Sequence, residues 1–254
     1  MRSLIAAFHT YSRIPMPQIK WDDKTIKNAI CFFPCVGIAI GLVELVLLHI
    51  FANYYVIPDI LRGAICCLVP FILTGGIHMD GFCDMTDALS SYQPRERKLE
   101  IMKDSNAGAF AVIYAIMYFI LYFAAWIYVK SFAQSLVIAI TFVMSRAFSG
   151  FGVATLTQAR KKGMLQSYAE KADKKALTVI MLVYIVICSV GLLLIDIRMG
   201  VEIILVDVIM FAYYKYTAYK ELGGITGDTA GWFLQLAELG SVLVVALNGV
   251  RFIL

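Results

Sequence analysis

Five apolar runs of about twenty residues recur along the chain, at 30–52, 107–129, 131–150, 176–195 and 229–250. A helix crossing the hydrocarbon core of a bilayer needs ~20 such residues, and one soluble core cannot bury five of them. Hydrophobic residues make up 61% of the chain and charged residues 16%, which excludes an ordinary water-soluble globule. Two weaker runs lie at 61–78, broken by Pro70 and Gly75-Gly76, and at 199–217, which carries Glu202 and Asp207. Only helices and closed barrels satisfy backbone polar groups in lipid, and these uninterrupted runs are not barrel strands. They predict an all-α, polytopic integral membrane protein with about seven transmembrane helices. With no low-complexity tract or linker, residues 1–254 read as a single transmembrane domain. The opening MRSLIAAFHTYSRIPMP has too brief an apolar core for a signal peptide and suits an amphipathic helix lying in the interface.

Lysine and arginine collect on one side of the spans. Arg2, Arg13, Lys20, Lys24 and Lys27 precede the first; Arg95, Arg97, Lys98 and Lys103 follow the second; Arg160, Lys161, Lys162, Lys171, Lys174 and Lys175 follow the fourth; Lys215 and Lys220 follow the sixth. Arg62, Lys130, Arg198 and Arg251 are left for the other side. Cytoplasmic loops retain positive charge, so the N-terminus is expected in the cytoplasm and the C-terminus outside. The net charge of +4 is then a consequence of topology, not a sign of nucleic-acid binding. The six cysteines lie in or beside spans at spacings that match no zinc framework.

Against this background GGIHMDGFCDMTD, residues 75–87, stands out, and GGITGDTAG, residues 223–231, echoes its opening on the same predicted side. If 80–88 is helical, Asp84 lies about 40° from Asp80 and Asp87 about 20° from it on the other side, so all three acids share one face. Carboxylates that close repel unless a cation compensates them, and an all-oxygen set points to a hard divalent metal such as Mg²⁺. Asp80 and Asp87 are about 10 Å apart along such a helix, too far for one ion, so two ions are expected, or one with help from Asp104 and Asp228. Mg²⁺ commonly completes its shell with substrate phosphate oxygens, which makes phosphoryl transfer the chemical inference. Acids that are merely solvated at a membrane exit are the plainer alternative.

His78 falls off the acid face and, as a lone histidine at a helix end, reads as structural a little more readily than as catalytic. Glu238 lies about 15 Å deeper than Asp228 along a helix; it cannot share that ion and is either functional or a hydrogen-bonded structural acid. Arg146 can snorkel to the headgroups or turn inward to hold a phosphate. Positive-inside bias explains most of the charge in ARKKG, residues 159–163, Arg160 included.

The elements GGIHMDGFCDMTDA, RERKLEIMKDSNAGAF, MSRAF, ARKKGM and GGITGDTAG, with the later Glu238 and the opening FHTYSRIPMP, resemble in order and spacing the cobalamin synthases, adenosylcobinamide-GDP ribazoletransferases. The resemblance covers nearly the whole chain. It implies a Mg²⁺-dependent enzyme of the prokaryotic cell inner membrane, its active site facing the cytoplasm. Such an enzyme joins adenosylcobinamide-GDP to α-ribazole or its 5′-phosphate, giving the cobamide or its phosphate and GMP. It also implies metal binding and catalysis by Asp80, Asp84 and Asp87, with Asp104 and Asp228 as further metal ligands. Contacts to substrate or phosphate are implied for His78, Lys103, Asp104, Ser105, Arg146, Arg160, Thr226, Asp228 and Glu238. A homo-oligomer, or a membrane assembly with other enzymes of nucleotide-loop synthesis, is left open. Three positions depart from the pattern: Ala88 and Ala111 where glycine is common, and Asn106 where a basic residue is common.

Two rival readings differ at specific residues. A CDP-alcohol phosphotransferase requires D-G-x-x-A-R, but Asp84 and Met85 stand where its alanine and arginine belong. An ion-coupled transporter would use Glu44, Glu202, Asp207 and Glu238 near the midplane, whereas the densest acids here cluster at one surface.

Overall fold

The computed structural model describes residues 1–55, 57–160 and 173–251. Lys161, Lys162 and Lys171 of the charge count, and the end of ARKKGM, lie outside the described residues. Eleven α-helices are described: α1 Arg2–Tyr11, α2 Asp23–Ala29, α3 Phe33–Asn53, α4 Asp59–Thr74, α5 Ile77–Ser90, α6 Arg95–Ile101, α7 Ala109–Ile127, α8 Phe132–Thr155, α9 Lys174–Ile195, α10 Ile197–Leu222 and α11 Gly227–Arg251. The expected all-α class holds, and each expected run falls on one of these helices except 61–78, which is divided between α4 and α5. Among the described residues the sole strand-like pairing is a parallel bridge between Gln158 and Ile225.

The helix ends follow from local chemistry. A side-chain oxygen just before a helix can accept one of its unpaired N–H groups. Asp22, Asp173 and Asp196 do so for α2, α9 and α10, and Ser131 with Gln134 forms a capping box on α8. At the other end, Gly75 after α4 and Gly223 after α10 adopt φ of +66° and +71°. Glycine enters that left-handed region without the clash a Cβ would bring.

Five helices are long and apolar enough to cross a membrane, and a sixth span results if α4 and α5 are one broken segment bent by 92°. The count of seven is not reached by that measure. The expected sixth span, α10, is the one not counted: it has 26 residues, or about 39 Å of helix, but it carries Arg198, Glu202, Asp207, Lys215, Lys220 and Glu221.

Lipid exposure sorts the spans. Of the most apolar window of each helix, 72% is buried inside the molecule for α8 and 67% for α11, against 28% for α7 and 17% for α9. The first two therefore make the interior, while α7 and α9 turn residues such as Ile120, Val186 and Leu194 outward. Helix association in lipid relies on close packing at small residues, and α3 meets α8 in this way at Gly37 and Gly41, four residues apart. A Cβ on Gly37 would stand 2.3 Å from the Phe142 carbonyl oxygen, and one on Gly41 would stand 2.8 Å from that of Ala139.

The N-terminal segment does form the expected short helix, α1, with Ala6, Ala7 and Phe8 buried. It is also tied to the protein, because the Arg13 N–H donates to the Leu73 carbonyl at 2.7 Å and the Arg13 side chain packs on Gly75.

Candidate active site

Both GGI segments have one construction: a helix ends on a left-handed glycine, a second glycine with positive φ follows, and the chain re-enters a helix almost at once. Gly75-Gly76 turns α4 into α5, and Gly223-Gly224 turns α10 toward α11. The two helices they launch then pack on each other without intervening side chains. A Cβ at Gly81 would lie 2.7 Å from the Asp228 carbonyl oxygen, and one at Gly231 would lie 3.0 Å from that of His78. Gly81 is therefore small because a neighbouring backbone occupies the space of a side chain, and the consequence is that Asp228 comes to the acid face of α5.

Asp228 is set by its own turn. Thr226 accepts from the Thr229 N–H at 3.2 Å while the Thr229 hydroxyl accepts from the Thr226 N–H at 2.8 Å, a reciprocal cap on α11. The Thr226 hydroxyl also reaches the Asp228 carboxylate at 3.4 Å. Arg160 arrives from the far side of the bridge, where the Ala159 N–H donates to the Ile225 carbonyl and the Ile225 N–H to the Thr157 carbonyl, each at 2.8 Å. Its guanidinium donates to Asp228 at 3.2 Å and to the Leu99 carbonyl at 3.0 Å. A Lys98–Glu221 ion pair holds α6 beside the end of α10.

The bend after Gly76 turns α5 out of the line of the α4 span, and Asp84 stands on this diverted helix. Burial, followed by the charges of Asp80 and Asp228, pushes its carboxyl up to about 7 against the opposing pull of Arg160, with Asp87 adding to the rise. Asp80, Asp84, Asp228 and Arg160 thus form one electrostatic group. Asp80 and Asp228 also line a cavity of about 210 Å³ with His78.

The other expected residues take different places. Asp87, though on the same face of α5, accepts from the Gly108 N–H at 2.6 Å and the Ala111 N–H at 2.8 Å, so it caps α7 from outside that helix. Lys103, Asp104 and Ser105 lie exposed in the turn before α7. Asp104 accepts from the Asn106 backbone and side chain at 3.0 and 2.9 Å, which gives Asn106 a local function at the position that departs from the pattern. Arg146 and Glu238, both fully buried, are joined at 2.7 Å; Arg146 also donates to the Phe142 carbonyl at 2.8 Å and lies about 6 Å from the ring centres of Phe33 and Phe142. Arg146 therefore turns inward, and a carboxylate holds it there. Ala111 is fully buried and gives its N–H to Asp87.

Among the described residues, no three His, Cys, Asp or Glu side chains stand close enough to cage a metal ion by themselves. Mg²⁺ is usually held by one or two carboxylates, with water and substrate phosphates completing the shell. Asp80, Asp84 and Asp228, mutually repelling and facing one arginine, fit an ion completed in that way. Residue-level reading of the sequence passed over Tyr11 and Phe33, which line the cavity beside His78. For Tyr11 the nearest signal was the opening FHTYSRIPMP, residues 8–17, while Phe33 stood unmarked in the apolar run 30–52.

A helical membrane protein that gathers acids and an arginine where two glycine hinges meet has the make-up of a membrane-embedded transferase acting on phosphate esters. Comparison with known proteins narrows this. The sequence model of the family described as CobS, cobalamin-5-phosphate synthase, matches residues 3–246, and the chain belongs to that family. It is 41% identical to the adenosylcobinamide-GDP ribazoletransferase of Lachnoclostridium phytofermentans over 97% of this chain and 94% of that protein. The proteins of that name in Clostridium perfringens (strain SM101) and Pseudomonas putida (strain GB-1) are each 30% identical, over 93% and 89% of this chain and 94% and 90% of their own lengths. No solved structure gives a significant match. The protein is thus an enzyme of cobalamin biosynthesis, and the CDP-alcohol phosphotransferase and transporter readings fall away.

Proposed function

We propose that the protein joins adenosylcobinamide-GDP to α-ribazole or its 5′-phosphate at the Asp80–Asp84–Asp228 group, with Mg²⁺ as cofactor and the site open to the cytoplasm of a prokaryotic cell. The observation that carries this reading is the meeting of the two GGI segments, which sets Asp228 and Arg160 against the acid face of α5. A ribose ring hydroxyl, left free in both α-ribazole and its 5′-phosphate, forms a bond through its oxygen to the phosphorus that carries the cobinamide, the bond from that phosphorus to the bridging oxygen breaks, and GMP departs. Asp84 takes the hydroxyl proton, since its proton affinity stands near neutrality, where a general base is most effective. Asp80 and Asp228 hold the cation, and Arg160 keeps Asp228 aimed at it. Bound Mg²⁺ neutralises charge on the diphosphate and on the departing GMP. In this reading Asp87 acts by fixing α7 beside the site, while Lys103 and Ser105 meet the anionic substrate from the exposed turn.

The lysine and arginine bias supports the cytoplasmic orientation. The test is GMP release by the purified protein in lipid. Release is expected only when adenosylcobinamide-GDP, α-ribazole and Mg²⁺ are all present; its absence at saturating concentrations of all three refutes the proposal.

A further inference from the structure

Asp80 is the wall between two dissimilar cavities. On one side lies the more enclosed cavity, of about 210 Å³, lined by Tyr11, Phe33 and His78 and by apolar side chains of α8 and α11, among them Val153 and Leu234. On the other lies an open cavity of about 680 Å³, lined by Arg13 and by the Gly75-Gly76 hinge. The enclosed one is smaller than the ~300–1,000 Å³ of pockets that swallow a drug-sized ligand. It therefore admits a fragment of a substrate, not a corrin-nucleotide conjugate.

Its chemistry says which fragment. The walls are aromatic and aliphatic: the Tyr11 and Phe33 rings have centroids 4.3 Å apart, and Phe33 and His78 have theirs 5.7 Å apart. Flat aromatic guests stack favourably on such rings. The acids Asp80 and Asp228 border the cavity and repel an anionic group, so the end of a ligand that enters is neutral. His78 is 6% exposed, and its Nε2 is buried with no hydrogen-bond partner. A buried polar atom left unpaired is costly, and His78 is one of the residues that line the cavity.

We propose that this cavity seats the aromatic base of the riboside acceptor, with the base innermost and the attacking ribose hydroxyl toward Asp80 and Asp228. Ribazole is a benzimidazole riboside whose unsubstituted ring nitrogen accepts one hydrogen bond. The Nε2–H of His78 supplies it, which makes His78, Val153 and Phe33 determinants of which base is accepted. The open cavity is left for the larger anionic conjugate, toward which Arg13 offers its exposed guanidinium. The inference rests on the reaction proposed above for the identity of the acceptor.

The test uses the full chain in lipid nanodiscs, titrating α-ribazole alone by calorimetry and measuring both Michaelis constants from GMP release. Val153→Phe, which fills the cavity, and His78→Ala should each weaken α-ribazole binding and raise its KM at least tenfold, with the KM for adenosylcobinamide-GDP held within about twofold. His78→Gln, which restores a donor, should recover most of the loss. Arg13→Ala should show the reverse pattern, affecting the conjugate alone. Helical content and retained KM for the conjugate report folding; should Val153→Phe fail to fold, His78→Ala and its rescue by His78→Gln decide. Equal effects on both substrates, or none on α-ribazole, overturn the assignment. If the variants weaken α-ribazole binding but the wild-type protein releases no GMP, the reaction is wrong and the cavity assignment stands; if it releases GMP and the variants leave α-ribazole untouched, the cavity assignment alone fails.

Discussion

Removing the Glu238 carboxylate is expected to destabilise the protein far more than removing Glu238 and Arg146 together. Both side chains are at most 1% exposed and are joined at 2.7 Å within the bundle interior. Glu238→Ala leaves a guanidinium in the core, with the Phe142 carbonyl, the Ser145 hydroxyl at 3.5 Å and two aromatic rings as its remaining partners. Stranding one charge of a buried pair costs about 3–5 kcal/mol, whereas exchanging both charges for apolar groups of similar volume is often neutral. The pair is also imperfectly satisfied, since the Arg146 Nε is buried without a partner, which lowers its net worth further. Arg146→Met with Glu238→Leu should therefore lie within about 1–2 kcal/mol of wild type, with a coupling of at least ~2 kcal/mol in the double-mutant cycle. Equilibrium unfolding in lipid or mixed micelles reads these differences, and GMP release by the double variant reads function. A double variant as unstable as the two singles combined refutes the reasoning. A stable double variant with no turnover would instead place the pair in contact with substrate.

Further outcomes follow from the same geometry. Asp80→Asn and Asp228→Asn should each lower GMP release by at least about a thousandfold with helical content unchanged, the scale expected when a metal-bearing or charge-stabilising group is lost; wild-type rates in both remove them from the site. Asp87→Ala should cost about 1 kcal/mol through the lost cap on α7 while retaining measurable turnover, and complete loss of turnover with unchanged stability would make it a ligand instead. Because the Asp84 carboxyl is pushed up to about 7, a proton occupies it below that pH and it cannot then accept one from the attacking hydroxyl. The rate of GMP release at saturating Mg²⁺ should therefore fall about tenfold with each unit of acidification below about 7 and level off above it, and a flat profile between about pH 6 and 8, roughly one unit either side of that value, argues against Asp84. Gly75→Ala should destabilise by roughly 1–2 kcal/mol, since φ is +66° and the Arg13 Nε would stand 2.5 Å from the new methyl group.

The fold class was legible in the sequence because a bilayer imposes a length. Runs of about twenty apolar residues have one use in lipid, so each run could be matched to a helix within a few residues of its ends. The acid face of α5 was legible too, because three aspartates spaced by four and three fall together at 100° per residue whatever surrounds them. The meeting of the GGI segments was anticipated from charge bias and from their echo, but the agent that joins them was not. That agent is the absence of a side chain at Gly81 and Gly231, and it has meaning only once α11 is known to lie there.

What tertiary structure alone decided is the partner of each polar side chain. Asp80, Asp84 and Asp87 are equivalent in the sequence, yet Asp87 is drawn off by two backbone N–H groups 21 and 24 residues away in the chain. Arg146 and Glu238, separated by 92 positions, neutralise each other in the core. Helical periodicity fixes which face of one helix a residue occupies, because the repeat is local; it carries no information about which other helix will face it. That choice is made by packing, and packing divided one row of aspartates between a site and a cap.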